Sequence, residues 1–392
     1  MMQSILILKQ MTSSFFKIVS LASFIMKIFE QIAIEVEAQW KQTNYRLEDF
    51  PKIATNCLKN FNYDLSKKQL DEALCQWLVK TSLFPEQINL HNQFGQPPIT
   101  LFNNNRFVVE IYFWLNFDTS IHSHGFRGGF KVLHGHSLHE KFKVNTTTIV
   151  SPDLILTELG TPEIELMHAG DTHPIFPDLE LTHRVIHLEN PTITLCIKTI
   201  NETDKHQWHY YPNGLAIQKR HLNPNLIKSI YFFEYLLKQN STISQTFLDS
   251  IIGETKLCDQ INLCEEIISG AYGLSDTASD LILNFILERH SETEWFHRYE
   301  DLNELIKEQL YFEHCDGAYE RLLAHLVNCN YGIDTVSKFL KSLTGQDHLS
   351  THKSIIQNLD LLTKDNRFFG NSKKTNEQIS KLHKFYEQAV NC

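Results

Sequence analysis

The chain has 392 residues, 42% of them hydrophobic, and a formal net charge of −10 from 36 Lys and Arg against 46 Asp and Glu. That length allows two or three domains with well-buried cores, and an acidic balance without a basic stripe excludes a nucleic-acid surface. Eight cysteines, at 57, 75, 196, 258, 264, 315, 329 and 392, show neither CxxC spacing nor a disulfide framework, so they read as the reduced thiols of a cytoplasmic protein.

Residues 1 to 26 are apolar but interrupted by Lys9 and Lys17, and the nine uncharged residues after Lys17 are too few to span a bilayer. No membrane partner is expected. A basic start and a short apolar run are the pattern of a signal peptide, yet no small-x-small cleavage site follows before Lys27, and a start at Met26 explains this extension equally well. Residues 27 to 95 form an N-terminal helical segment. Its clearest part is the capping box Ser66-Lys-Lys-Gln69, followed by Leu70, Leu74, Trp77 and Leu78 at helical spacing.

At Phe94-Gly-Gln-Pro-Pro98 the helical period breaks. Short runs rich in β-branched and aromatic residues follow: Arg106 to Leu115, the segment around His122, Phe130 to Leu133 and Ser137 to Val144. Further runs are Thr148 to Val150, Leu154 to Leu159, Glu163 to Met167, His183 to Leu188, Thr192 to Ile200 and Gln207 to Tyr211. Ten or so strands without intervening helices predict a sandwich or barrel over residues 96 to 215, best an antiparallel jelly roll, and an α+β chain as a whole.

After Pro212-Asn-Gly214 the strands stop. Asn223-Pro224 starts a helix continued by Leu226, Ile227, Ile230, Phe233 and Leu237. Amphipathic runs follow at Ala278 to Leu287, Leu302 to Leu310, Tyr319 to Val327, Val336 to Leu343, Ile355 to Leu362 and Ile379 to Val390, the last capped by Thr375-x-x-Gln378. Residues 216 to 392 are therefore predicted to be a helical domain, separable from the barrel, and the candidate surface for a homo-oligomer.

Nine of the twenty histidines fall between His122 and His187, so this window has a use for imidazole. His122 and His124, two apart on a strand, leave one face, and His183 opens a second apolar run that can bring a third imidazole to the same point. A three-histidine metal site inside the barrel is predicted. Imidazoles suit Fe, Zn, Cu and Ni, and a three-ligand face leaves positions for substrate and oxygen or water. A neutral ligand set leaves the metal's charge uncompensated, which favours an anionic ligand such as a thiolate or carboxylate.

The stretch His122-Ser-His124 through Gly135 resembles the first motif of the cupin superfamily, His-x-His followed by Glu and then Gly, with Gly128 where the family has Glu. Gly170, Pro177 and His183 follow in the order of the second cupin motif, with a longer Pro-to-His interval, and His187 stands in the place of the usual Asn. Within the superfamily, Ser-Ile-His-Ser-His, Phe-Lys-Val-Leu-His-Gly and His-Arg-Val resemble the thiol dioxygenases of the cysteine dioxygenase type over about residues 98 to 200. The resemblance implies a double-stranded β-helix and ferrous iron held by three neutral histidines. Bacterial members of that family can carry Gly at the missing-Glu position. The substrate-site wording departs: the Arg that grips the substrate carboxylate has no counterpart in register, Arg106 being displaced, and the family's His-x-Tyr pair is here Cys196-Ile-Lys198.

The reading is a cupin barrel binding a divalent metal, first Fe2+ and otherwise Zn2+, Ni2+ or Mn2+, through His122, His124 and His183. The leading function is non-haem iron oxygenation of a small thiol or related anionic molecule. A metal-dependent isomerase or hydrolase on the same barrel, and a non-catalytic small-molecule sensor, are the alternatives. Arg127, beside two glycines, is the candidate for the substrate's anionic group. His187 is a candidate at the rim or behind the ligands, since strand spacing puts it about 13 Å from His183. His134, His136 and His139 flank a turn glycine and read as solvated, His168 and His173 as loop residues, and Glu110 as a rim or outward acid.

Overall fold

The computed structural model of the chain describes residues 27–300 except 63, 81–83, 89–94, 96–97, 116–118, 201, 203–205 and 220–221, residues 317–345 except 330, and residues 380 and 384. The apolar extension and the predicted helix over Leu302 to Leu310 lie outside the described residues, as does the one over Ile355 to Leu362. So do the cap at Thr375 and nearly all of the helix over Ile379 to Val390. Among the described residues no helix is long and apolar enough to cross a membrane.

Three helices open the described chain: α1 over residues 27–42, α2 over Phe50–Asn60 and α3 over Lys67–Lys80. The predicted capping box starts α3: the Ser66 backbone N–H donates to Gln69 Oε1 at 2.9 Å, and the Gln69 N–H donates back to Ser66 Oγ at 3.3 Å. On α1, Phe29, Ile32, Ala33, Val36 and Trp40 recur at helical spacing, and all are buried.

Thirteen strands follow among the described residues: β1 Pro98–Asn103, β2 Phe107–Trp114, β3 Ile121–Ser123, β4 Gly128–His134, β5 Ser137–Phe142, β6 Val144–Ser151, β7 Leu154–Leu159, β8 Glu163–Met167, β9 Thr172–Ile175, β10 Thr182–His187, β11 Thr192–Thr199, β12 Gln207–Tyr210 and β13 Leu215–Lys219. They form a five-stranded sheet ordered β1-β2-β11-β4-β9 and an eight-stranded sheet ordered β6-β7-β13-β12-β3-β10-β5-β8, all pairs antiparallel. From β2 to β5, and again from β8 to β12, the chain alternates between the sheets, which is the path of a double-stranded β-helix. The predicted jelly roll in an α+β chain is what forms.

Alternation along the strands sorts two cores. Phe107, Val109 and Ile111 of β2 and Ile193, Leu195 and Ile197 of β11 face outward and join Phe29, Trp40, Phe50, Leu58 and Leu70 of the N-terminal helices in one cluster. Their strand neighbours Tyr112 and Cys196 face the barrel interior with Phe130, Val132, Met167, Ile175 and Val185.

Seven helices complete the described chain: α4 Pro224–Lys238, α5 Ser244–Glu254, α6 Leu257–Ile268, α7 Asp276–His290, α8 Glu294–Glu300, α9 Ala318–Asn328 and α10 Ile333–Thr344. Asn223 caps α4 as predicted, its side chain accepting the Asn225 N–H at 2.9 Å ahead of Pro224 at the first turn. These helices share cores with the barrel. Leu154, Leu156, Leu215 and Ile217 cluster with Ile230, Phe233, Ile261 and Ile282, and Leu138, Leu166, Ile186 and Leu188 cluster with Leu322, Leu326, Val336 and Leu340. The strands do not stop at Pro212-Asn-Gly214: that segment turns the chain into β13, which pairs with β12 and β7, so the change of architecture comes after Lys219, and it falls inside a hydrophobic cluster.

Candidate metal centre

His122 lies on β3, His124 at its end and His183 on β10, and His183 is the register partner of His122 across the antiparallel pair. Directly paired residues share a face, so the two strands bring three imidazoles to one point inside the barrel. One donor atom from each lies within 4.8 Å of the others, and the Nε2 atoms of His124 and His183 are 2.8 Å apart. The rings are fixed by contact with one another, with centroids 4.6–4.9 Å apart. All three side chains are buried.

Burial decides their protonation. It lowers the pKa of His122 to about 4, against a smaller upward pull from its hydrogen bond to the Ser120 carbonyl. It holds His124 and His183 well below the usual imidazole range, and the neighbouring imidazoles add to the effect. All three are therefore neutral at neutral pH and offer lone pairs. His122 Nδ1 lies 2.7 Å from the Ser120 carbonyl and donates its hydrogen there, which leaves Nε2 as the lone-pair nitrogen.

These donors fit a metal. Nitrogens bind Zn2+ and similar ions at about 2.0–2.1 Å, and two of them at roughly a right angle on one ion stand about 3 Å apart. The 2.8 Å between His124 and His183 Nε2 matches that separation. A fourth ligand at the position of the missing carboxylate is sterically closed, because a Cβ on Gly128 would lie 2.2 Å from the Ile197 carbonyl oxygen of β11. The glycine is a packing requirement of the β4–β11 pair, and the neutral three-histidine set follows from it. Gly135, at φ +85°, makes the turn from β4 to β5.

The other sequence candidates sit elsewhere. His187 shares the inward face of β10, but it stacks on Trp114 with centroids 4.4 Å apart and 18° between planes, and its Nδ1 lies 3.0 Å from Ser137 Oγ. Arg127 is largely buried, and its guanidinium is engaged by the Glu202 carboxylate. His136 pairs with Glu189, 2.6 Å from Nδ1 to carboxylate, and that bond raises its pKa.

Three expectations need correction. His139 is not solvated but 1% exposed, because β5 starts at Ser137 and the period of two turns His139 inward, where its Nε2 lies 2.8 Å from His183 Nδ1. His173 is a β9 residue, not a loop residue, and stacks on Phe130 at 5.4 Å. Glu110 is neither rim nor outward: it is 1% exposed inside the barrel, 2.6 Å from Lys198 Nζ, and accepts from Tyr112 Oη at 2.5 Å and Thr100 Oγ1 at 3.1 Å. Two participants escaped the sequence reading. His209 of β12 is the other register partner of His122, with rings 6.3 Å apart, and its Nδ1 lies 3.0 Å from Ser120 Oγ. Lys198 brings an ammonium inside the barrel, 5.1 Å from the Phe126 ring, which itself lies 4.6 Å from the His124 ring.

No protein-family model and no curated protein matches the chain. Among solved structures it is similar to an RmlC-like cupin from Shewanella frigidimarina, at 16% identity over 27% of this chain and 78% of that one, with a TM-score of 0.18. The hydroquinone 1,2-dioxygenase of Sphingomonas sp. TTNP3 is 12% identical over 31% of this chain and 70% of that one, at TM-score 0.21. The DMSP lyase DddQ of Ruegeria pomeroyi is 12% identical over 48% and 98%, at TM-score 0.26. Likenesses this slight carry no argument about chemistry, and the architecture rests on the strand order above.

Proposed function

We propose that the protein is a metal-dependent barrel enzyme, a non-haem iron dioxygenase acting on a small thiol or related anionic molecule, with His122, His124 and His183 as the metal ligands. One observation carries the reading: three buried imidazoles, kept neutral by their surroundings, converge within 4.8 Å, and Gly128 closes the place of a carboxylate. Ferrous iron bound there would supply Lewis-acid activation and a place for dioxygen beside the substrate.

The chain's own residues supply the rest. Ser120 fixes the tautomer of His122 through its carbonyl, and His139 meets the outer nitrogen of His183. The stacked rings of Tyr112, Trp114 and His187, with Tyr112 and Trp114 centroids 5.5 Å apart, make one rigid wall of the interior. Phe126 covers His124. With no carboxylate among the ligands, an anionic substrate group balances the site's charge best, and Lys198, paired with Glu110, is the ammonium inside the barrel that it would share.

The test is metal analysis of untagged protein, followed by oxygen uptake of the ferrous form with cysteine, 3-mercaptopropionate and cysteamine. About one equivalent of iron, lost in His122→Ala and His124→Ala, with thiol-dependent uptake, is expected. Metal content unchanged in both variants would overturn the ligand assignment, and bound metal without uptake for any thiol would overturn the oxygenase reading.

A further inference from the structure

We propose that His139, Glu165 and His173 form a second divalent-cation site, joined to the three-histidine centre by the hydrogen bond between His139 and His183. A ring nitrogen of His139, a ring nitrogen of His173 and a carboxylate oxygen of Glu165 lie within 4.8 Å of one another. The strands explain why. His139 and Glu165 are register partners across β5 and β8, while His173 pairs with Phe130 across β9 and β4. Since β8 and β9 are the edge strands of the two sheets, the cluster lies where the barrel's edges meet.

Two buried nitrogens there lack a partner. His139 spends Nε2 on His183, and its Nδ1 has none, although the side chain is 1% exposed; His173 turns Nδ1 to Glu165 Oε2 at 3.9 Å, and its Nε2 is buried without a partner. Both rings are held in place against Phe130, with centroids 6.2 Å and 5.4 Å from it. A buried unsatisfied ring nitrogen is costly, and a cation coordinated by it removes that cost. Glu165 is exposed and opens the cluster to solvent. Lys141 now sits on it, 3.0 Å from Oε2, so the carboxylate already holds a cation that an ion can replace. Two imidazoles and one carboxylate suit a borderline divalent ion of the Zn2+, Co2+ or Fe2+ class, not Ca2+ or Mg2+.

The link to the first centre has a direction, and this part rests on the reading of His183 as a ligand. When His183 Nε2 faces a metal, its hydrogen is on Nδ1 and is donated to His139 Nε2, which leaves the hydrogen of a neutral His139 on Nδ1, the nitrogen the second site needs. A cation at His139 Nδ1 reverses the bond and places a hydrogen on His183 Nε2. One neutral imidazole pair thus serves one site at a time unless the bond between them breaks, and each ion weakens the other's binding by the same factor.

The experiment titrates the full chain with Co2+ and follows its visible absorption. In the His122→Ala/His124→Ala variant, which dismantles the first centre, one Co2+ is expected to bind, and at least about tenfold more tightly than the second equivalent taken up by the wild type. Adding His173→Ala to that variant, or Glu165→Gln as the surface change that spares the fold, should weaken this ion by about tenfold or more. No Co2+ bound by the His122→Ala/His124→Ala variant, or binding indifferent to both further changes, would overturn the second site. Failure of the first centre reads differently, as equal metal binding by the wild type and the His122→Ala/His124→Ala variant.

Discussion

Glu140 Oε1 accepts a hydrogen bond of 2.7 Å from His325 Nε2, across 185 residues of sequence and between β5 of the barrel and helix α9. The same carboxylate takes Arg184 Nε at 2.7 Å and Tyr331 Oη at 2.7 Å, and it is fully buried. Burial opposes the charge on His325, but the Cys329 thiolate and the Glu140 carboxylate beside it raise its pKa to about 10. Burial likewise opposes the Glu140 carboxylate, while His325 and Arg184 hold its pKa below the ordinary range.

Without His325 the buried Glu140 carboxylate keeps Arg184 and Tyr331 but loses a charge-assisted hydrogen bond, so His325→Ala should lose about 1.5–3 kcal/mol of stability in urea denaturation. The pH dependence has a definite sign. The share from His325 is full below about 6.5 and is lost as pH rises toward about 10, while the share from Glu140 is full above about 4.5 and is lost on acidification. A loss below about 1 kcal/mol would mean that the helix does not depend on this contact.

His187 gives the opposite case. Burial lowers its pKa to about 3, so it is neutral in the fold, whereas the unfolded chain takes up a proton near pH 6.5. Its contribution is full above about 6.5 and falls, as pH falls toward 3, by at most about 1.4 kcal/mol per pH unit. His187→Phe keeps a ring on Trp114 and removes the proton. The slope of stability between about pH 4 and 6 should then drop by close to one proton; an unchanged slope would show that His187 is not the buried neutral group the contacts describe.

The hydrophobic clusters predict how the chain tolerates cutting. Residues 27–215 alone would expose Leu154, Leu156 and Leu215 on one side and Leu138, Leu166, Ile186 and Leu188 on another, all of them buried beneath helices. Patches of that kind lead to aggregation, so the truncated chain should be insoluble where the full chain is soluble. A soluble, β-rich, metal-binding fragment would restore the separable helical domain that the change of period near Pro212 suggests.

That contrast shows where the sequence stops being legible. The strand runs from Arg106 to Tyr211, the capping box at Ser66 and the helix start at Asn223 are local patterns that form where their residues indicate, whereas β1, β9 and β13 carry no such run and are held as strands by pairing with β2, β4, β7 and β12. The convergence of His122, His124 and His183 follows from strand alternation and motif order. Faces are harder, because both sides of the five-stranded sheet are covered, one by helices and one by the barrel interior, so alternation along β2 does not say which side Glu110 takes. The position of His139 was available from the alternation Ser137-Leu-His-Glu140, with Leu138 and Glu140 turned to the helices, yet the adjacent turn glycine suggested solvent. Helices α5 and α6 carry no side-chain cap and start without a local signal, so only the packing of Leu248, Ile252, Ile261 and Cys264 reveals them.

An anionic substrate of the proposed oxygenase would meet few free cations among the described residues. A carboxylate-gripping Arg has no counterpart in register, and Arg127 is engaged by Glu202, while Lys198 Nζ lies inside the barrel, 2.8 Å from Tyr112 Oη and on the Phe126 side of His124. Glu110, 2.6 Å from that ammonium, already balances its charge, so a substrate carboxylate must compete with a resident one. Cysteine is therefore expected to be a poor substrate, and a thiol whose anion lies farther from sulfur, such as 3-mercaptopropionate, a better one. Losing a charge-assisted contact in a dry site costs about 1.5–3 kcal/mol, tenfold to more than a hundredfold in affinity. Lys198→Met combined with Glu110→Gln, which leaves no carboxylate buried alone, should raise KM for the anionic thiol by about that factor and keep the metal bound. If KM stays the same there and rises in Arg127→Ala, then Arg127 leaves Glu202 to hold the substrate. Efficient turnover of cysteine unaffected by either set of changes would remove both cations from the site.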